Sequence, residues 1–113
     1  MARILIVEPD TNVAAVIADI LPEKHASFSE ASGDSAKARM LQPGARVDLV
    51  ITANHLPEGP GTELVDWVKL HFPQTPIILM SGLPEPAGHQ ADAFLAKPFD
   101  NDLLKGLLTR FLG

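Results

Sequence analysis

Four short segments, each placed directly after an apolar run, carry the side chains that could do chemistry. These segments are Glu8-Pro9-Asp10, Ala53-Asn54, Ser81-Gly82 and Lys97-Pro98. Together they offer carboxylates, a hydroxyl and an ammonium group. Mg²⁺ is bound in proteins through one or two carboxylates together with the phosphate oxygens of a substrate. Glu8 and Asp10 could offer such carboxylates, but without a metal ion they would repel a phosphate.

The apolar runs before these segments predict strands of a parallel sheet. Residues 4–7, 47–52, 76–80 and 93–96 are almost entirely apolar, as expected for strands covered on both faces. Residues 26–30 alternate weakly and predict an edge strand. In an open parallel sheet, ligands bind beyond the carboxyl ends of the strands. We therefore expect the four polar segments to lie together at that edge.

Apolar residues at helical spacing predict the elements that connect the strands. Asp10 is expected to cap the first helix and Asp100 the last, while Gly33-Asp34 begins the second and Pro73 lies beyond the third. The apolar residues at helical spacing are, helix by helix, Val13, Val16, Ile17, Ile20 and Leu21; Ala36, Met40 and Leu41, which form the predicted inward face of the second helix; Leu64, Val65, Trp67, Val68 and Leu70; and Leu103, Leu104, Leu107, Leu108 and Phe111. The last set, together with Leu112, is more leucine than one buried stripe requires, which leaves part of it for an interface.

The crossover at residues 82–92 differs from the others, because it holds two prolines and two glycines in eleven residues. A proline inside a helix removes an amide donor and clashes with the preceding turn. We predict a loop here, with one turn around His89 to Asp92, in place of the fourth helix. The alternation of strands and helices predicts a doubly wound α/β fold with a five-stranded parallel sheet in the order 2-1-3-4-5.

Composition limits the classes of protein to which the chain can belong. Its 113 residues, 46% hydrophobic and 20% charged, suit one domain spanning residues 1–113. A net charge of −5 without a basic run argues against nucleic acid as a partner. The absence of cysteine excludes disulfides, thiolate metal sites and cysteine nucleophiles. No apolar run is long enough for a membrane span. The apolar stretch at residues 4–7 is also too short for a signal peptide, so we expect a soluble, cytoplasmic protein.

Four segments in this order resemble the receiver domain of two-component response regulators, the CheY-like group of flavodoxin-like folds. The segments are Ile4-Leu5-Ile6-Val7-Glu8; Asp48-Leu49-Val50-Ile51 with Pro57 and Gly61; Ile77-Ile78-Leu79-Met80-Ser81; and Phe94-Leu95-Ala96-Lys97-Pro98-Phe99. The resemblance covers residues 3–112. It implies a domain that takes a phosphoryl group from a histidine kinase onto an aspartate after the third strand, with Mg²⁺ held by an acidic pair after the first.

The resemblance assigns roles to individual residues, and at two positions the sequence departs from the pattern. Ser81 matches the phosphate-binding hydroxyl, Lys97 the lysine that pairs with the phosphoryl group, and Phe94 the aromatic switch position. The acidic pair falls on Glu8 and Pro9, and the phosphoacceptor falls on Ala53. A methyl group cannot attack a phosphohistidine, so the resemblance implies a degenerate phosphoacceptor pocket. We expect no aspartyl phosphate, no cofactor, no enzymatic activity and no metal, with Glu8 and Asp10 as the weak candidates for metal binding.

Simpler structural roles are predicted for the same side chains. Lys97 is expected to pair with Glu8 or Asp10, and Ser81 to bond backbone at the strand end. The resemblance also implies a cis bond between Lys97 and Pro98. Thr52 is predicted in the core and His55 in an exposed loop.

These observations favour an atypical receiver, or pseudo-receiver, that acts as a protein-interaction module independently of phosphorylation. Its partner would be a histidine kinase, an output domain or another signalling protein, or a second copy bound through the face of the fifth strand and last helix. One alternative is the receiver segment of a hybrid histidine kinase or multidomain regulator. Another is a flavin or nucleotide carrier, which needs a phosphate-cradling loop that neither Glu8-Pro9-Asp10 nor Ala53-Asn54-His55 supplies.

Overall fold

Five parallel strands form the central sheet in the computed structural model, which describes residues 1–113. The sheet has the order β2-β1-β3-β6-β7. Its strands are β1 Arg3–Val7, β2 Ala26–Glu30, β3 Leu49–Ala53, β6 Ile77–Ser81 and β7 Ala93–Ala96. Strands β4 and β5 form a separate hairpin, so β6 and β7 are the fourth and fifth strands of the main sheet. The sheet therefore has the predicted order 2-1-3-4-5, and the predicted fold class is confirmed.

A two-stranded antiparallel hairpin and four helices complete the chain. The hairpin is β4 His55–Leu56 with β5 Gly59–Pro60, and the helices are α1 Thr11–Ile20, α2 Gly33–Met40, α3 Gly61–His71 and α4 Asn101–Leu112. The hairpin was not predicted, because the sequence from 54 to 61 was interpreted as loop throughout. None of the helices is both long and apolar enough to cross a membrane.

The core lies between the sheet and the helices. Every residue of β3 and β6 is buried, which explains why residues 49–51 and 77–80 are all apolar. Leu41, predicted on the inward face of α2, is 62% exposed, because the helix ends one residue before it. Two other leucines at helical spacing are also exposed: Leu70 on α3 at 77% and Leu103 on α4 at 54%. Both lie inside their helices, on faces that the core does not cover.

The crossover from Gly82 to Asp92 contains no helix, as the prolines predicted. Its turn lies at Ala87–Gly88, where Gly88 has φ +70°, and not around His89 to Asp92. Side-chain contacts fasten the segment instead of a helical ladder. These contacts are His89 Nε2 to Glu85 Oε2 at 2.6 Å, Gln90 Nε2 to Asp66 Oδ1 at 2.9 Å, and Lys69 Nζ to Asp92 Oδ2 at 2.5 Å.

Two side chains hold the first residues of β1 at the amino ends of the strands. The amide of Ala2 donates to Nδ1 of His25 at 2.9 Å, and the amide of Arg3 donates to Oδ2 of Asp48 at 2.8 Å. Burial lowers the pKa of His25 from its ordinary value of 6.5, and nearby positive charges lower it further. Burial acting alone would raise the pKa of Asp48, but hydrogen bonds from Arg46 and from the Arg3 amide outweigh it and lower the pKa from 3.8.

Candidate functional site

The carboxyl ends of the strands bring the predicted site residues to one edge of the sheet. Ala53 is the last residue of β3 and lies opposite Met80 of β6. Ser81 ends β6 and lies opposite Ala96, so that Lys97 follows directly, and the Lys97 amide donates to the Ser81 carbonyl at 2.8 Å. The Lys97–Pro98 peptide bond is cis. The parallel register therefore gathers the hydroxyl, the lysine and the alanine as the strand pattern predicted.

An ion pair between Glu8 and Lys97 occupies the site. Lys97 Nζ lies 2.8 Å from Glu8 Oε1, and Glu8 is only 6% exposed. The second oxygen, Oε2, accepts the amide of Asp10 at 3.1 Å. Both carboxylate oxygens of Glu8 are thus engaged inside the chain, and the pair joins the end of β1 to the end of β7.

Asp10 serves the first helix rather than the lysine. Its Oδ1 accepts the amides of Asn12 at 2.9 Å and Val13 at 3.3 Å, so Asp10 is the N-cap of α1. Pro9, between the two acids, has no side-chain donor or acceptor. No group of three or more metal-ligating side chains occurs in the chain. These residues fit Mg²⁺ poorly, because both oxygens of Glu8 are engaged within the chain and Asp10 leaves only Oδ2 without a partner.

The position to which the resemblance assigns the phosphoacceptor, Ala53, holds a buried methyl group. Ala53 is 2% exposed, and its carbonyl accepts the hydroxyl of Thr52 at 2.9 Å. A Cβ placed on Gly61 would come within 2.2 Å of the same carbonyl oxygen, so the start of α3 packs directly on the end of β3. Asn54 closes this junction: its carbonyl accepts the Gly61 amide at 2.7 Å, and its Oδ1 accepts the Thr62 amide at 3.2 Å. No carboxylate is available from these neighbours.

Ser81 and Phe94 are both held by the crossover. Ser81 is 5% exposed, and its Oγ accepts the amide of Leu83 at 3.0 Å. Phe94 is half-buried, and its ring centroid lies 6.1 Å from that of His89. The side chain of His89 is itself only 8% exposed. Ser81 and Phe94, to which the resemblance assigns the hydroxyl and aromatic switch roles, therefore both contact the crossover segment.

Glu58, in the turn of the hairpin, has a role that the sequence did not reveal. Its Oε1 accepts the amide of Gly33 at 2.8 Å, and its Oε2 accepts that of Asp34 at 3.4 Å. The carboxylate therefore sits on the first amides of α2, where the helix dipole favours negative charge. The residues are 25 positions apart, so no local pattern signalled the contact. His55, by contrast, is exposed, as predicted.

The same contacts argue against the phosphate-cradling loop that a flavin or nucleotide carrier would need. Such a loop requires free backbone amides at a helix N-terminus. The first amides of α1 are capped by Asp10, those of α2 by Glu58, and those of α3 by Asn54. The chain's own oxygens thus fill the positions that a bound nucleotide phosphate would need.

An apolar groove lies beside the lysine. It encloses about 350 Å³ between α1 and the turn from β7 to α4, and its lining residues are Asn12, Val13, Val16, Ile17, Ile20, Lys97, Pro98, Phe99 and Asn101. Val16, one of the apolar residues at helical spacing in α1, is 58% exposed. It faces this groove because the helix is covered there by only a turn.

Comparisons with known proteins agree with this architecture. The response regulator receiver domain family matches residues 4–109. No curated protein matches the sequence. Among solved structures, the chain is similar to the signal receiver domain of an HD domain-containing protein from Pseudomonas fluorescens Pf-5, with 26% identity, a TM-score of 0.88, and coverage of 98% of this chain and 94% of that chain.

Two other structures are similar over nearly their whole length. The chemotaxis response regulator CheY4 of Vibrio cholerae is 25% identical, with a TM-score of 0.85 and 98% of each chain covered. The receiver domain of the sensor histidine kinase PA1611 from Pseudomonas aeruginosa PAO1, which holds a magnesium ion in its active site cleft, is 23% identical, with a TM-score of 0.85. It covers 99% of this chain and 98% of that chain, and at this identity the likeness shows the fold alone. With a family match over nearly all residues and this sheet order, the chain belongs to the response regulator receiver domain family.

Proposed function

We propose that this receiver domain of two-component signalling works without aspartyl phosphorylation, as a module that binds a protein partner. The observation that carries the proposal is Ala53 at the end of β3, where the family resemblance places the phosphoacceptor. The buried methyl group offers no nucleophile to a phosphohistidine. Thr52 next to it is fully buried and donates to a carbonyl, so it is not a substitute.

The ion pair at the site supports the same proposal. Lys97 would pair with a phosphoryl group in a working receiver, but here its ammonium is 2.8 Å from Glu8. The PA1611 receiver holds Mg²⁺ in its cleft. In this chain a cation at Glu8 would have to compete with Lys97, and Asp10 would offer only Oδ2, because its Oδ1 accepts two α1 amides. We therefore expect negligible binding of Mg²⁺ and of a phosphoryl group.

A protein partner is the remaining route for a signal. Receiver domains interact with histidine kinases and with output domains, and we expect a partner of this kind in the cytoplasm. The chain would act as one domain over residues 1–113. Two similar structures are receiver domains of larger proteins, an HD domain-containing protein and a sensor histidine kinase. That similarity favours, as the second candidate, the receiver segment of a multidomain regulator or hybrid kinase.

The central test is an NMR titration with Mg²⁺ and beryllofluoride, a mimic of the phosphoryl group. We expect the amide resonances of Ser81 and Lys97 to stay in place. The double variant Pro9→Asp and Ala53→Asp supplies both missing carboxylates and is the positive control. In that variant alone we expect shifts, and a phosphoryl adduct by mass spectrometry after incubation with a small phosphodonor. Shifts around Ser81 in the unaltered chain, or an acid-labile adduct on it, would contradict the proposal.

Self-association is tested separately, through the face of β7 and α4. Leu103 on α4 is 54% exposed and is the largest exposed apolar side chain there. If a homodimer forms through this face, Leu103→Lys should shift sedimentation toward the monomer. Leu41→Lys, at a leucine of similar exposure that follows α2, is the matched control and should change nothing. Equal sedimentation of all three proteins as monomers would remove the homodimer from the proposal.

A further inference from the structure

Positive charge is concentrated at one place, away from the site described above. Three of the chain's four arginines, Arg3, Arg39 and Arg46, line a single cavity of about 220 Å³. The remaining lining residues are Phe28, Gln42, Pro43, Gly44, Ala45 and Val47. The chain as a whole carries a net charge of −5, so this concentration is opposite in sign to the rest of the molecule.

Two of the guanidinium groups are held on one aromatic ring. The Cζ atom of Arg3 lies 4.7 Å, and that of Arg39 5.2 Å, from the centroid of Phe28. Stacking on a ring attracts each cation and limits the rotamers of both side chains. Both arginines also line the same cavity, so an anion bound there would meet two cations whose positions are already restrained.

Hydrogen-bond donors remain free in the cavity. Arg39 uses its Nε on Glu30 at 2.6 Å, and Arg46 is paired with Asp48 at 3.1 Å. Arg3 uses only its Nε, which donates to the carbonyl of Arg46 at 3.0 Å, and it has no carboxylate partner. Two of the three positive charges are thus balanced. The charge of Arg3 and the terminal nitrogens of Arg3 and Arg39 have no partner within the chain.

We propose that this cavity binds a phosphate group, either free phosphate or a small phosphomonoester. Guanidinium groups approach it from β1, from α2 and from the loop before β3, and a tetrahedral oxyanion has enough acceptor oxygens for all of them. The cavity volume leaves room for a small organic substituent. Arg3 begins β1 and Glu8 follows its end, so the two sites are about 16 Å apart along the strand. The inference does not depend on how the Ala53 site signals.

The test follows the side-chain Nε–Hε resonances of Arg3 and Arg39 while inorganic phosphate is added at constant ionic strength. We expect saturable shifts, and chloride in place of phosphate should produce none. Arg3→Gln should weaken phosphate binding about tenfold or more, because it removes the unpaired charge and its donors. Arg110→Gln, at the one arginine outside the cavity, should leave the affinity unchanged. Phe28→Leu keeps every charge, and it should weaken binding because the guanidinium groups lose their support.

A parallel titration with glycerol 3-phosphate distinguishes the two sources of the ligand. Tighter binding than inorganic phosphate indicates a phosphomonoester, and equal or weaker binding indicates free phosphate. The proposal is overturned if the unaltered protein shows no saturable shift, or if Arg3→Gln and Arg110→Gln bind alike. Phe28→Leu keeps the test decisive if Arg3→Gln fails to fold, because unchanged affinity in Phe28→Leu would also contradict the proposal.

Discussion

Lys97→Met removes the ammonium that holds Glu8 and leaves a side chain of similar length. The carboxylate of Glu8 is 6% exposed and would lose its only charged partner. We expect a clear loss of folding free energy, since an unpaired buried charge is far more costly than an unpaired exposed one. In a working receiver this lysine serves the phosphoryl group, whereas here we assign it to stability.

The size of the loss follows from the burial of the two groups. Removing one partner of a buried ion pair costs about 3–5 kcal/mol. The side chain of Lys97 is 29% exposed, so water can reach part of the vacated position, and Oε2 of Glu8 keeps the Asp10 amide. The expected loss is therefore about 2 kcal/mol, below that range. With a urea m-value of about 1.5 kcal/mol/M, the midpoint should fall by a little over 1 M.

Urea unfolding followed by circular dichroism measures this change. Lys105→Met, at an exposed lysine on α4, is the matched control and should stay within about 0.5 kcal/mol of the unaltered chain. Glu8→Gln combined with Lys97→Met should be less destabilised than the sum of the single changes, with a coupling of about 1 kcal/mol or more. A loss no larger than that of the Lys105 control, or a coupling near zero, would refute the assigned role.

Three further changes test other parts of the structure. Gly61→Ala should destabilise the chain by about 3 kcal/mol or prevent folding, because the new Cβ would lie 2.2 Å from a backbone oxygen. The control is Gly106→Ala, whose Cβ would lie in open space on α4. It should stabilise the chain by about 0.5–1 kcal/mol in the same urea assay. Glu58→Gln should cost about 1 kcal/mol and speed hydrogen exchange at the start of α2, because a charged cap on two amides is lost. The free energy of unfolding should fall as the pH is lowered from 7. The pKa of His25 is below 6.5 in the folded chain, so the unfolded chain binds more protons at low pH. The stabilisation by neutral His25 is complete above the pKa of the unfolded chain and is lost as the pH falls through the pKa of the folded chain. The lowered pKa of Asp48 acts with the same sign below pH 4, and His25→Gln should flatten only the upper part of the pH profile.

The fold could be predicted because its signals are local. Buried parallel strands require unbroken apolar runs, and the fifth strand was placed at residues 93–96, where the structure has it. Asp10 and Asp100 predicted the starts of two helices, because an N-cap side chain bonds to amides only two or three residues further along the chain. The two prolines of the crossover excluded a helix for an equally local reason. The gathering of Glu8, Ser81 and Lys97 then followed from the geometry of a parallel sheet.

The contacts that could not be predicted join residues far apart in sequence. Glu58 reaches the amide of Gly33 only after the strands between them are in register, and nothing near Glu58 marks it as a helix cap. Lys97 pairs with Glu8 and not with Asp10, because the Asp10 carboxylate accepts the first amides of α1. The sequence alone did not indicate which of the two acids would bind the lysine. The exposure of Leu41 and Leu70 depended on where each helix ends and on what covers it.

The side-chain contacts that fasten the crossover have a consequence for its response to ionic strength. A helix would be held by backbone hydrogen bonds that salt hardly affects, but this segment relies in part on the ion pair between Lys69 and Asp92. Dissolved ions weaken attraction between partly exposed charges, while the apolar core keeps its strength. Rising salinity should therefore loosen residues 82–92 well before the sheet itself opens. The local stability of residues 82–92 would then depend on ionic strength, whereas that of the five-stranded sheet would not.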